Sequence, residues 1–374
     1  MARTASNEPR KIRYAVVGAG NIAQVAVLPA FKNAAENSEL VAIVSGDAEK
    51  RAALGERYGV AELGGYDELE DVLKRARVDA AYIALPNTMH REYTERAAAA
   101  GVHVLCEKPM AMTEEDCEAM IRATKDRGVK LMIAYRLHFE EGNLKAVEIA
   151  RSGELGEVRA FSSLFTHVVR AGDIRTRSEQ GGGALFDLGV YCVNAARYLF
   201  REEPSEALAV SLRLDARRAE DVDETTSAIL RFPSGAVAQF TVSQGLASVS
   251  SFRIAGTEGE LRVEPAFDYS SDIKHYLTVG GKTEEKTFKG RDQFAPELVY
   301  FSRCILEDRE PEPSGLEGFA DVRVMLAIQS SAASGRAEAI PPFQRDQRPG
   351  MSQSIKKPPV DPPEPVKAPS PSEQ

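Results

Sequence analysis

The sequence predicts an α/β chain: a doubly wound parallel sheet in the first third, followed by a β-rich second domain. Three observations carry this. Apolar strand-like runs alternate with helix-like runs from Ile12 to about Tyr135. A glycine-rich turn, Gly18-Ala-Gly20-Asn21-Ile22-Ala23, sits between the first strand and the first helix. From Val158 onward the pattern turns to successive β-type runs. At 374 residues the chain has room for two domains, each with its own core.

The first strand, Ile12 to Val17, runs straight into the G-x-G-x-x-A turn, and a helix is expected to continue to about Ala35. Gly18 allows the tight turn, Gly20 lets a pyrophosphate approach the backbone, and Ala23 lets helix and strand pack closely. The helix N-terminus, opening at Asn21 and Ile22, offers N–H groups and partial positive charge to phosphates. This is the context of a Rossmann dinucleotide site.

The second strand, Leu40 to Val44, decides the cofactor. An NAD site places Asp or Glu at its end to accept the ribose hydroxyls. Here the strand ends in Ser45-Gly46, with Asp47 and the Lys50-Arg51 pair following, a set that suits a 2′-phosphate. NADP is therefore expected over NAD, with an inward-turned Asp47 as the feature that would reverse the choice.

The alternation then repeats. A helix from Asp67 to Arg75 leads to the strand Ala80 to Leu85, ending at Pro86-Asn87. A helix from His90 to Ala100 leads to His103 to Cys106, then Glu107-Lys108-Pro109. A helix from Thr113 to Arg127 leads to Lys130 to Ala134, then Tyr135-Arg136. Ligands of such sheets bind beyond the carboxyl ends of the strands, where Ser45, Pro86, Asn87, Glu107, Lys108 and Arg136 all fall.

Composition excludes several classes. Hydrophobic residues at 43% and charged residues at 28% fit a globular chain, and a net charge of -9 argues against nucleic acid as a partner. Cys106, Cys117, Cys192 and Cys304 form no C-x-x-C pair, and the five histidines show no metal-ligand spacing, so no metal site is expected. Arg3, Glu8, Arg10 and Lys11 interrupt any secretory apolar region, and no stretch suits a membrane span. A cytoplasmic location is expected, or a periplasmic one if a leader has been trimmed.

The stretch Gly181-Gly182-Gly183 to Tyr198 is the most informative of the second half. Three consecutive glycines cost backbone entropy and are expected to let a loop approach a ligand before a helix opens. Asp187, Tyr191 and Asn194, at i, i+4 and i+7, are expected on one helix face, either as a reactive face or as a buried Tyr–Asp hydrogen bond.

Glu107-Lys108-Pro109 together with Gly-Gly-Gly-x-x-x-Asp187-x-Gly189-x-Tyr191 resembles the glucose–fructose oxidoreductase, inositol dehydrogenase and rhizopine catabolism (Gfo/Idh/MocA) family. The likeness runs from Ile12 to about Ile340 and is nearest the glucose–fructose oxidoreductase subgroup. It includes Val44 to Lys50, Leu85 to His90, Cys106 to Ala111, Leu131 to Arg136 and Asp187 to Cys192. The resemblance implies a Rossmann domain plus an α+β domain with a large, mostly antiparallel sheet, and a sugar or polyol between them. It implies Lys108 as the catalytic lysine and Tyr191 as the proton carrier, where many relatives have histidine, with Asp187 beside them. It also brings His90 to the cofactor side, and Lys108, Arg136, Asp187 and Tyr191 to the substrate.

A free tyrosine titrates near ~10, and a lysine cation alongside favours the phenolate a base needs. Asp187 is expected to orient Lys108, hold a sugar hydroxyl or cap the helix, while Arg136, His138, Arg175 and Arg177 are weaker pocket candidates. The leading function is NADP-dependent oxidation of an aldopyranose at C1 to its lactone. The alternatives are a glucose–fructose type cycle on a tightly bound NADP and a non-catalytic NADP-binding sensor.

The expected division is 1–135 for the dinucleotide domain, 136–340 for the substrate and oligomerisation domain, and 341–374 for a tail. In the second domain the strands are Arg159 to Val169, Ala207 to Leu214, Thr226 to Phe232, Ala236 to Val242, Ser251 to Ile254 and Glu260 to Val263. Helices are expected at Ala295 to Glu307 and Leu316 to Ser334. With one sheet face under the Gly183 to Leu199 helix, the other needs a cover, so a homodimer or homotetramer is expected. Ten of the 20 prolines lie in the last 34 residues, so the tail should be extended or disordered.

Overall fold

The computed structural model describes residues 10–213, 221–345 and 347–372; the charges at Arg3 and Glu8 and the expected strand end at Leu214 lie outside them. Two sheets organise the chain. The first is parallel throughout, built from β1 (Ile12–Val17), β2 (Ser38–Val44), β3 (Glu62–Gly64), β4 (Ala80–Ile83), β5 (His103–Cys106) and β6 (Leu131–Ile133). Their order, β3-β2-β1-β4-β5-β6, reverses direction between β1 and β4, which opens a crevice at the carboxyl ends of those two strands. Every residue of β4 is buried, as a central parallel strand with helices on both faces requires.

Helices Ala48–Tyr58, Leu69–Arg75, His90–Ala99 and Glu114–Asp126 connect these strands. Their starts are chemically marked: the Asp47 carboxylate accepts from Lys50 N at 2.9 Å, and Thr113 Oγ1 from Asp116 N at 3.1 Å. The helix after the glycine turn is shorter than expected. It is a π turn over Ala23–Val27 and an α turn over Leu28–Ala30, after which the chain passes through turns to β2.

The second sheet has nine strands: β7 (Val158–Val168), β8 (Glu206–Leu212), β9 (Thr225–Arg231), β10 (Val237–Ser243), β11 (Gly245–Gly256), β12 (Gly259–Val263), β13 (Ile273–Val279), β14 (Lys282–Phe288) and β15 (Glu338–Ala339). Their order is β14-β13-β12-β11-β7-β10-β9-β8-β15, antiparallel except for the β7–β10 pair. Helices Val190–Phe200 and Gly315–Ser334 pack on one face. The β13–β14 hairpin turns at Gly280-Gly281, both at positive φ (57° and 76°), a two-residue turn that glycine alone adopts easily.

Two boundaries differ from expectation. Helix Ala295–Leu306, assigned from sequence to the second domain, covers the first sheet: Tyr14 Oη lies 2.9 Å from Ser302 Oγ, and Asn37 Nδ2 donates to Val299 O at 2.9 Å. Leu298, Val299 and Phe301 share a core with Ile12, Tyr14 and Val16. The tail also departs from a disordered segment. Between Arg345 and Ser372 its described residues lie along both domains, because its cations and backbone find fixed partners. Among the described residues, no helix is long and apolar enough to cross a membrane, and no cluster of His, Cys, Asp and Glu could hold a metal. All four cysteines are buried and unpaired.

Candidate active site

The crevice begins at the glycine turn. Gly18 takes φ +101°, and a Cβ there would stand 2.3 Å from Ala84 O, so only glycine lets β1 turn against the end of β4. At Gly20 a Cβ would meet nothing within 4 Å, so open space lies against exposed backbone beside a helix start, the cradle a pyrophosphate needs. At the end of β2, Ser45 is buried and its carbonyl accepts from Arg51 Nη1. Asp47 is committed to its helix cap; the backbone N–H of Lys50 beside it holds the carboxyl below the usual range. Lys50 enters here through that N–H. The groups just beyond the end of β2 are therefore the Ser45 hydroxyl and the Arg51 guanidinium, donors of the kind that suit a phosphorylated ribose.

Past the ends of β4 and β5, the structure brings together residues far apart in sequence. Lys108 Nζ stands 4.5 Å from the centroid of the Tyr191 ring and donates to Asp187 O at 3.2 Å. Arg136 approaches the same phenol: Nη2 donates to Tyr191 Oη at 3.3 Å, and the guanidinium carbon lies 5.1 Å from the ring centroid. Arg136 is fixed in turn by Gln293 Oε1 and Phe267 O. The Tyr191 ring rests on Phe165 and Phe267, at centroid separations of 5.6 and 6.0 Å. A phenol so held carries positive charge against its face and at its oxygen, which stabilises negative charge developing there.

Asp187 forms the neighbouring polar wall. Its carboxylate accepts from Arg175 Nε at 3.3 Å and from Gln244 Nε2 at 3.0 Å. Burial pushes its pKa up, but the charges of Arg175 and Lys108 outweigh that and hold it below the usual value. Arg175 is shared with Asp173 Oδ1 at 3.1 Å. His167, at the end of β7, sits close enough to feel Asp187, although burial dominates and lowers its pKa. Neither His167 Nε2 nor Gln244 Oε1 has a partner among the described residues.

Several expected site residues have other work. His90 is fully buried with Nδ1 3.0 Å from Pro109 O and Nε2 3.0 Å from Leu85 O, bracing two strand-end loops instead of facing a cofactor. Asn87 donates to Gly181 O at 2.8 Å and so holds the triple-glycine loop, while Pro86 precedes the short turn carrying it. Glu107 turns inward to accept from Tyr82 Oη at 2.8 Å, and burial raises its pKa. Ile22 packs at the edge of the first core, and Asn21 donates to Ala368 O in the tail. His138 and Asn194 bond each other at 2.8 Å within a buried network with Glu312, Glu317 and Asp321, so Asn194 does not share the Tyr191 face. Arg177 is exposed. The three glycines serve the chain's own backbone: a Cβ on Gly182 would come 2.4 Å from Arg175 O. His167, Gln244 and the Phe165–Phe267 bed escaped the sequence reading, since nothing local marks a strand end that meets a helix only in three dimensions.

The model of an oxidoreductase family with an NAD-binding Rossmann fold matches residues 12–135, and that of the GFO/IDH/MocA C-terminal domain matches residues 143–262. The chain belongs to the Gfo/Idh/MocA oxidoreductase family. Within it, the chain is 35% identical over 88% of its length to an uncharacterized oxidoreductase of Rhizobium meliloti, covering 99% of that protein. It is 32% identical to the NADP-dependent D-xylose 1-dehydrogenase of Haloarcula marismortui, over 88% of this chain and 93% of that one. Among solved structures, an aldose-aldose oxidoreductase from Caulobacter crescentus superposes with a TM-score of 0.83 at 38% identity, over 88% of this chain and 100% of the other. A 3-ketoreductase from Actinomadura kijaniata, in complex with NADP and TDP-benzene, gives 0.79 at 29%, over 86% and 98%.

Proposed function

We propose that this protein is an NADP-dependent sugar oxidoreductase that oxidises the C1 hydroxyl of an aldopyranose to the lactone. The observation that carries the reading is the convergence of Lys108 and Arg136 on the phenol of Tyr191, which lies 83 residues after Lys108, at the mouth of a dinucleotide crevice. NADP is favoured over NAD by Ser45, by Arg51 and by the capping role of Asp47, and the xylose dehydrogenase and ketoreductase relatives use or bind NADP. When bound, the nicotinamide supplies the hydride acceptor.

Tyr191 takes the proton from the C1 hydroxyl. Lys108 and Arg136 stabilise the phenolate form that can accept this proton, and the phenol left afterwards is neutral. Asp187, oriented by Arg175 and Gln244, accepts a hydrogen bond from a second sugar hydroxyl and sets the ring's position. Replacing Tyr191 with Phe should lower kcat by about 10²–10⁴-fold and leave NADP binding intact. Undiminished turnover on aldoses would refute the role. The likeness to an aldose-aldose oxidoreductase favours a second mode, in which a second sugar reoxidises the cofactor without its release. Reduced-nicotinamide fluorescence of the purified protein, with no cofactor added, should then rise with one aldose and fall with a second.

The outer face of the second sheet bears Leu208, Val210, Leu212 and Ile229, 44–60% exposed, alternating with buried Ala207, Ala209 and Ala228. An apolar face of this kind fits a homo-oligomeric contact. Val210→Asp with Ile229→Asp should lower the mass measured by sedimentation to that of the single chain; an unchanged mass would refute the contact.

A further inference from the structure

We infer that the end of the C-terminal tail, residues 360–372, is part of the dinucleotide site and straps the crevice shut, so that cofactor release requires the arm to lift. The inference rests on the reading that this crevice holds NADP.

The tail is anchored at its root. The side chains of Arg345 and Arg348, 3% and 5% exposed, pair at 2.8 Å with the buried carboxylate of Glu317 and the part-buried one of Glu203. The chain then crosses to the first domain, where Asn33 Nδ2 donates to Pro358 O at 2.9 Å. From there it passes each feature that defines the crevice. Gln24, on the helix that follows the glycine turn, pairs with Val366 in both directions, at 2.7 Å from Val366 N and 3.0 Å to Val366 O. Asn21, within the turn, donates to Ala368 O at 2.9 Å. Lys367 reaches the start of helix Ala48–Tyr58, just after β2, bonding Glu49 and standing 3.9 Å from Asp47 Oδ2. Pro371 O accepts from Arg170 N at 2.7 Å, and Ser372 bridges to Val169, where the loop toward Arg175 begins. The arm thus touches the glycine turn and its helix, the start of the helix after β2, and the loop that leads to Arg175.

Two features mark this as a built contact. The Gln24 side chain is fully buried beneath the docked arm, and its amide pairs with Val366 through both its oxygen and its nitrogen, a two-point contact to one backbone unit. Seven prolines between Pro358 and Pro371 stiffen the segment, so docking it orders few free rotations.

The test is the dissociation rate of NADPH, read as loss of its bound fluorescence on mixing with excess NADP. It compares the full chain, a chain ending at Pro359, and Lys367→Glu. Release should be at least tenfold faster without the arm and severalfold faster in Lys367→Glu. Rates within twofold of the full chain in both variants would overturn the strap. If the shortened chain does not fold, Lys367→Glu decides alone, since that side chain is half exposed and outside the core. Failure of the full chain to bind NADPH at all would instead overturn the functional reading, and the strap with it.

Discussion

Replacing Arg197 with Met tests how the helix that presents Tyr191 is held. The Arg197 guanidinium is fully buried and joins three carboxylates: Glu203 through Nε and through Nη2 at 2.9 Å, Glu317 through Nη1 at 2.8 Å, and Asp321 through Nη1. Glu317 and Glu203 keep second cations, Arg345 and Arg348, when Arg197 is removed. Asp321 keeps only neutral partners such as Asn194, at 2.9 Å. One buried negative charge is then uncompensated, a change that costs about 3–5 kcal/mol. Burial and the charge of Glu317 already push the Asp321 carboxyl upward against Arg197, so this is the group that takes up a proton when the cation leaves. Urea unfolding followed by circular dichroism should show the loss. Adding Asp321→Asn to Arg197→Met should recover a substantial part of it, because the orphaned charge is gone. A loss below about 1 kcal/mol, or a double variant no more stable than the single one, would refute this account of the network.

Asp187→Asn should raise KM for the sugar by about tenfold or more, the worth of one charge-assisted hydrogen bond, with little change in NADP affinity; an unaltered KM would remove Asp187 from the substrate wall. His138 is a pH test. Burial pushes its pKa down, but Glu312 and Glu317 together with the Asn194 hydrogen bond outweigh this and hold it above the ordinary 6.5. A raised histidine contributes stability that is present below 6.5 and is lost as pH climbs through the folded value. The stability gap between the natural protein and His138→Gln should therefore be widest near pH 6 and shrink toward pH 9, and a gap constant with pH would contradict the pairing.

Much of the first domain was legible because apolar strand-like runs alternate with helix-like runs and the first of them ends in a glycine turn. The glycine turn has its structural counterpart in the positive φ of Gly18 and the open space at Gly20. The convergence of Lys108 on Tyr191 was reachable only through family resemblance, since no periodicity links residues on separate sheets. Asn194 shows the limit of periodicity: spacing assigns a face, but not what that face meets, and here it meets buried acids. His90 and Asn87 sit at strand ends, as ligand-binding residues do, yet their side chains close gaps between loops. The hairpin β13–β14 was signalled by Gly280-Gly281 and went unread because β14 is nearly all polar, an exposed edge without an apolar face. Composition leaves the tail extended or disordered and does not say whether it docks: prolines bar helix and sheet, but they do not bar docking in an extended form.

The return of helix Ala295–Leu306 to the first sheet bears on recombining this protein with its relatives. A chimera cut after Tyr135 would carry a cofactor module whose Tyr14 and Ser38 hydroxyls and Ile12–Val16 face have lost their lid, unless residues near 294–306 travel with it. The unit of exchange is therefore discontinuous: two separate stretches of gene encode one nucleotide-binding body, and inheritance of one without the other yields an open sheet.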